Sequence, residues 1–246
     1  FANFPGGAVL QEGLVVTDFN QDYYEDIVFS SDTALFVLYG WDQLHRGVLD
    51  MQGFPGSFGG SGLVITLPEG VRNVDITDVG DVSYDNFKDI AVTFGSSSYV
   101  LYGYTSTGDL VTLDSLVDEF NLGRRYIGDA LTVRPAGDVN SDGMADLIFA
   151  ESSALVHGQP NVGLVYVIYS EFGAFGRVYL SDFVSDVYRG CRISGAGANA
   201  FAGYATTSWL STNGMNVVVA SLTPSTTDES ITESSGVVYV LAPGSL

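Results

Sequence analysis

Residues 138–150 read Asp138-Val-Asn140-Ser-Asp142-Gly143-Met144-Ala-Asp146-Leu147-Ile148-Phe149-Ala150, a run of spaced oxygen side chains, a glycine, an aspartate and then an apolar stretch. The pattern recurs twice. Its other copies are Asp18-Phe-Asn20-Gln-Asp22-Tyr23-Tyr24-Glu-Asp26 before Ile27-Val28-Phe29, and Asp81-Val-Ser83-Tyr-Asp85-Asn86-Phe87-Lys-Asp89 before Ile90-Ala91-Val92. Oxygens at positions 1, 3, 5 and 9 of a tight loop, with the carbonyl of position 7, suit one hard cation such as Ca2+. The candidate ligands are therefore Asp138, Asn140, Asp142, Met144 and Asp146 in the third loop. They are Asp81, Ser83, Asp85, Phe87 and Asp89 in the second, and Asp18, Asn20, Asp22, Tyr24 and Asp26 in the first. Up to three calcium ions follow.

Position 6 of such a turn needs a positive φ, which Gly143 supplies freely, Asn86 tolerates and Tyr23 adopts only at a steric cost. That ranks the sites third, second, first. A bidentate glutamate at position 12 would mark an EF-hand, and Phe29, Val92 and Phe149 stand there instead. Aspartate and asparagine also cap turns without any metal, which is the competing reading of each loop.

The copies begin at 18, 81 and 138, steps of 63 and 57 residues, a period that marks a repeat architecture. Each loop is followed by a buried-type strand, a small polar turn and a second strand: Ala34 to Gly40, Tyr99 to Gly103 and Gly163 to Tyr169. A fourth unit has Val217-Val-Val-Ala220 and Gly236-Val-Val-Tyr-Val-Leu241, but Trp209 and Ser211 stand where the third loop has Asp138 and Asn140. Its metal chemistry is lost. With 30 Gly, 14 Tyr and 15 Phe and no helical periodicity beyond about two turns, the chain reads as all-β with short strands between Gly, Ser, Asn and Asp turns. The even spread of repeats predicts a single domain over 1–246, with approximate units 1–56, 57–123, 124–187 and 188–246.

These repeats resemble FG-GAP repeats, the blade units of integrin α-type β-propellers. Gly137-Asp138-Val-Asn140-Ser-Asp142-Gly143 is the most specific match; Phe58-Gly59, Gly190-Cys-Arg-Ile193-Ser-Gly195, Phe201-Ala-Gly203-Tyr204 and the Gly-x-Val-Tyr-Val strands support it. The likeness covers nearly the whole chain. It implies a propeller-like fold of four small antiparallel sheets, calcium between the first two strands of a blade, an extracellular or cell-surface location and a role in adhesion. The family's Gly-Ala-Pro step is eroded to Ser30-Ser31, Gly95-Ser96, Glu151-Ser152 and Ser221-Leu222.

Charge narrows the partners. Twenty-nine acidic residues face nine basic ones, for a net charge of −20, which makes nucleic acid a poor ligand. A protein or glycan ligand, or copies of the chain itself, remain. The single Cys191 excludes an intramolecular disulfide and reads as a small core residue. No apolar stretch reaches the roughly 20 residues that span a bilayer, so no transmembrane segment is expected.

Chemistry beyond binding finds little support, since His45 and His157 share no zinc spacing and no Gly-x-Ser-x-Gly elbow is present. The chain is therefore read as no enzyme, with a glycan-active enzyme as the weakest alternative. Trp41 and Trp209 are expected to anchor the packing between blades. The leading expectation is a calcium-binding adhesion or interaction module; the alternative is a structural subunit of an extracellular filament or sheath assembled head-to-tail. The alternative arises because 1–6, Phe-Ala-Asn-Phe-Pro-Gly, is similar to Gly53-Phe-Pro-Gly56 and would supply a missing outer strand within or between chains.

Overall fold

A computed structural model describes residues 10–40, 62–105, 110–129, 131–185, 188–212, 214–222 and 236–242. The expectations placed on 1–6, Trp41, His45, Gly53 to Gly56 and Phe58-Gly59 lie outside the described residues. In chain order the strands are β1 (Leu10–Thr17), β2 (Asp26–Ser31), β3 (Ala34–Leu38), β4 (Gly62–Thr66), β5 (Asp75–Gly80), β6 (Asp89–Phe94), β7 (Ser97–Leu101) and β8 (Leu110–Thr112). After the short helix α1 (Leu113–Asp118) come β9 (Gly123–Ile127), β10 (Thr132–Gly137), β11 (Asp146–Glu151), β12 (Leu164–Ile168), β13 (Gly176–Tyr179), β14 (Gly190–Ser194), β15 (Ala205–Ser211), β16 (Gly214–Leu222) and β17 (Gly236–Leu241).

The chain is all-β and forms four sheets. Their orders are β1-β2-β3-β4-β8, β5-β6-β7-β9-β13, β10-β11-β12-β14 and β15-β16-β17. Consecutive strands pair antiparallel, whereas β8 joins β4 and β13 joins β9 in parallel. The outer strands β4, β9 and β14 begin where the next sequence repeat opens, so each of the first three sheets is completed by chain from its successor.

Side-chain alternation explains why the sheets stack. In β2, Val28 points to the side that meets the second sheet, while Ile27 and Phe29 point the other way. Strands β6 and β11 are covered on both faces and therefore read as continuous apolar runs rather than alternating ones. One core joins the first two sheets, with Val28, Val37 and Leu63 meeting Ile90, Val92 and Leu101. A second joins Ala91 and Val100 to Leu147, Phe149 and Tyr166; a third joins Ile148, Val165 and Val167 to Val217 and Val219. Each fully buried residue of this size contributes about 1.5–3 kcal/mol of transfer free energy.

The leading strands touch in sequence, β1 with β5, β5 with β10 and β10 with β15. Among the described residues β15 and β1 make no comparable contact, and the four sheets form an open succession. Helix α1 turns the chain from β8 back to β9 and is opened by a capping box, in which Thr112 Oγ1 accepts from Ser115 N and Ser115 Oγ accepts from Thr112 N.

Trp209 is half exposed on the outward face of the last sheet, so it does not anchor a junction between sheets; that face has no neighbouring sheet. Cys191 is partly buried against the third core, and burial pushes its thiol pKa up, as suits a small packing residue.

Candidate metal centre

The three Asp-rich loops connect β1 to β2, β5 to β6 and β10 to β11, the leading hairpin of each of the first three sheets. Their internal geometry repeats. In the third loop Asp138 Oδ1 accepts from Asp142 N at 3.0 Å and Oδ2 from Gly143 N at 2.9 Å, so the position 1 carboxylate folds the turn over itself. Asp142 Oδ1 accepts from Met144 N at 2.8 Å, and Asn140 bridges to Asp142 through both its amide atoms. The same bonds recur at Asp18, Asn20 and Asp22 in the first loop and at Asp81 and Asp85 in the second. Position 6 is left-handed in all three, with φ 69° at Tyr23, 69° at Asn86 and 93° at Gly143. Position 4 is left-handed as well, at Gln21, Tyr84 and Ser141.

Position 9 behaves differently from the other candidate ligands. Asp26, Asp89 and Asp146 are fully buried at the first residue of β2, β6 and β11. One oxygen accepts from the amide of position 2, at 2.8–2.9 Å. The other accepts from the residue just beyond the third strand: Gly40 N, Gly103 N or Ser170 N. Desolvation by burial outweighs these bonds and raises the carboxyl pKa to about 6 in Asp26 and about 7 in Asp89 and Asp146. Position 9 thus ties the loop to the end of its hairpin from beneath, and positions 1, 3 and 5 lie above it.

This division bears on the fit to a cation. Among the described residues no three acidic, histidine or cysteine side chains form a ready-made metal cluster. A cation would instead draw on carboxylates at positions 1 and 5, the amide or hydroxyl oxygen of position 3 and the carbonyl of position 7, a mixed oxygen set that suits calcium. Ser83 adds an independent sign, because its Oγ is buried with no hydrogen-bond partner at position 3 of the second loop. A buried hydroxyl without a partner is costly, and a cation beside it would remove the cost. In the fourth hairpin Ser211 pairs with Gly214 and Trp209 with Asn216, so the positions equivalent to Asp138 and Asn140 lie in strand rather than loop.

The sequence did not point to the residues around these loops. Gln21 Nε2 donates to Asn86 O, Ala145 N donates to Asp81 O, and the Tyr84 ring lies over Gly143. The three loops therefore form one continuous row. Gly40 and Gly103 are required because a Cβ there would run into the position 8 carbonyl at about 2.4–2.5 Å; Ser170 instead donates its Oγ to that carbonyl, Ala145 O. A recurring Gly or Ser after the third strand's tyrosine was the only sequence signal for them.

The paired arginines make ion pairs, Arg125 with Asp114 at 3.3 Å and Arg124 with Glu171 at 3.9 Å. His157 is exposed on the turn between Val156 and Gln159. No protein-family model matches the chain. No curated protein matches it either.

Proposed function

We propose that this chain is an FG-GAP-like, calcium-binding propeller-type module that acts outside the cell in adhesion or recognition of a protein or glycan, without catalysis. The observation that carries the reading is the threefold repetition of one loop geometry at equivalent hairpins, with carboxylates at positions 1 and 5 above a buried position 9 anchor. Three unrelated Asx turns would have no reason to share register, left-handed residues and neighbours. Calcium in this setting holds loops rather than reacting, because its neutralisation of positions 1 and 5 locks a turn that the amides already shape. A net charge of −20 favours uptake of cations in the same way. Among the described residues no helix is long and apolar enough to cross a membrane.

Calorimetric titration of calcium into the intact chain, Asp142→Ala and Asp22→Ala tests the reading. Sites of this class bind at about 10⁻⁴ to 10⁻³ M, and calcium at about tenfold above Kd adds about 1.4 kcal/mol of stability per site. Asp142→Ala should remove the tighter component, because the third loop combines the full ligand set with Gly143, and Asp22→Ala a weaker one. Equal losses would contradict the ranking. No binding heat and no calcium-dependent rise in melting temperature would sink the calcium reading itself.

A further inference from the structure

Between β9 and β13 of the second sheet and the adjoining ends of β12 and β14 of the third lies a cavity of about 330 Å³. It sits beside the third Asp-rich loop, because Ser170, which donates to Asp146, stands between the lining residues Tyr169 and Glu171. Three of the chain's nine basic residues, Arg124, Arg177 and Arg189, meet there, together with the acids Glu171 and Asp182. Arg177 is committed to Asp118, to which its Nε and Nη2 both donate. Arg124 is not held in this way. Its guanidinium lies 5.7 Å from the centre of the Tyr126 ring, and the carboxylate of its ion pair, Glu171, stays at 3.9 Å, beyond hydrogen-bond reach. Its Nε is buried without a hydrogen-bond partner, and among the described residues no other charged side chain has a buried atom left in that state. A guanidinium with unmet donors in a partly buried setting is costly, and its planar fork matches a carboxylate through two parallel bonds.

We infer that this cavity binds an acidic sugar, a uronic acid unit of a glycan, with the sugar carboxylate on Arg124 and the exposed Arg189 adding a second guanidinium. Size and chemistry select the ligand. About 330 Å³ stands at the lower end of small-molecule sites, room for one substituted ring rather than for a strand or helix of a protein. The lining tyrosines Tyr126, Tyr169 and Tyr179 each combine an apolar body with a polar tip, which suits the faces and hydroxyls of a pyranose. Glu171 and Asp182 would repel a bare anion, but they accept from sugar hydroxyls, which an apolar acid or an acidic peptide side chain does not bring. The net charge of −20 opposes an anionic ligand only weakly, because exposed carboxylates more than about 8 Å away are screened at physiological salt. The inference rests on the recognition reading proposed above, whose ligand it names, although none of these residues is a candidate calcium ligand.

NMR titration of the full chain with sodium glucuronate, in millimolar calcium and in chelator, tests it, with glucose and acetate as the separate halves of the ligand. A single charged ring is expected to bind with a Kd of about 1 mM. Glucose lacks the carboxylate and acetate lacks the ring, so each should bind at least about tenfold more weakly. Arg124→Gln should weaken glucuronate binding at least about tenfold and leave the melting temperature of the unliganded protein unchanged, since Nε has no partner to lose; an arginine with a purely structural role would show the opposite split. Glu171→Gln alters an exposed side chain, keeps an acceptor and removes the carboxylate that competes for Arg124. It should tighten binding about twofold to fivefold, a gain that unfolding cannot produce. Absence of saturable shifts at roughly tenfold above that Kd overturns the inference. So does acetate or glucose binding as well as glucuronate, and so does unchanged binding in both variants. Glucuronate binding in a chain that takes up no calcium leaves this inference standing while the calcium reading falls; calcium binding without glucuronate binding does the reverse.

Discussion

At the scale of single residues, position 6 of the loops shows how a backbone requirement becomes legible. Only a turn that forces a positive φ makes the Gly143, Asn86, Tyr23 series meaningful, and all three are left-handed. Tyr23 is 91 % exposed, so its ring gains little from packing while its backbone bears the strain of the left-handed region. Tyr23→Gly should therefore stabilise the protein in chelator, by roughly 0.5–1 kcal/mol once glycine's extra unfolded-state entropy is subtracted. Denaturant unfolding with the slope unchanged is the measurement; a loss of stability would mean that the tyrosine ring makes contacts worth more than the strain. Position 4 was not legible, since Gln21, Tyr84 and Ser141 share no chemistry that announces a left-handed backbone. Nor was the inward turn of Asp26, Asp89 and Asp146, because a ninth-position aspartate has the same spelling whether it meets a cation or backbone amides.

At the scale of elements, the second and third strands of each unit were readable from apolar runs bounded by polar turns. The parallel additions β8 and β13 were not. They hold three and four residues, too few to carry an alternation of their own. Another cost hides at the end of β11, where Glu151 is buried; its Oε1 accepts from Asp129 N at 2.8 Å and its Oε2 from Tyr166 Oη–H at 3.1 Å. Desolvation raises its pKa above the ordinary glutamate value despite those bonds, with the nearby Asp129 adding to the rise. The folded state then holds the proton more tightly than the unfolded chain. Its contribution to stability is present in full below the unfolded glutamate pKa of about 4.3 and is lost as pH rises through the folded value. Glu151→Gln removes the ionisation, so its melting temperature relative to wild type should improve steadily as pH is raised from 4 to neutrality. A relative melting temperature that falls over that range would mean that the ionised carboxylate, not its protonated form, is what the site prefers.

The whole molecule is a short one-dimensional series in which each sheet is stabilised by its neighbours, so position in the series, rather than local sequence, decides what a side chain is worth. The sequence period announced four similar units, but nothing in it distinguished an interior unit from an end one: Val37, Val100, Val167 and Val240 all sit in near-identical Val-containing strands. Packing distinguishes them. Valine-to-alanine substitution at the three interior positions removes buried methyl groups from a filled junction and should cost roughly 1–3 kcal/mol each. The same change at Val240, 54 % exposed in a single chain, should fall within about 0.5 kcal/mol of wild type in dilute solution. Urea unfolding at the lowest workable protein concentration reads these values free of any self-association. The comparison separates two accounts of the last sheet. If Val240→Ala is as costly as Val167→Ala under those conditions, the outward face of the last sheet is already covered within one chain. If it is neutral, the last sheet is held by its inner face alone, through Val217 and Val219 against the third sheet, and its outward face contributes nothing to the fold of the single chain.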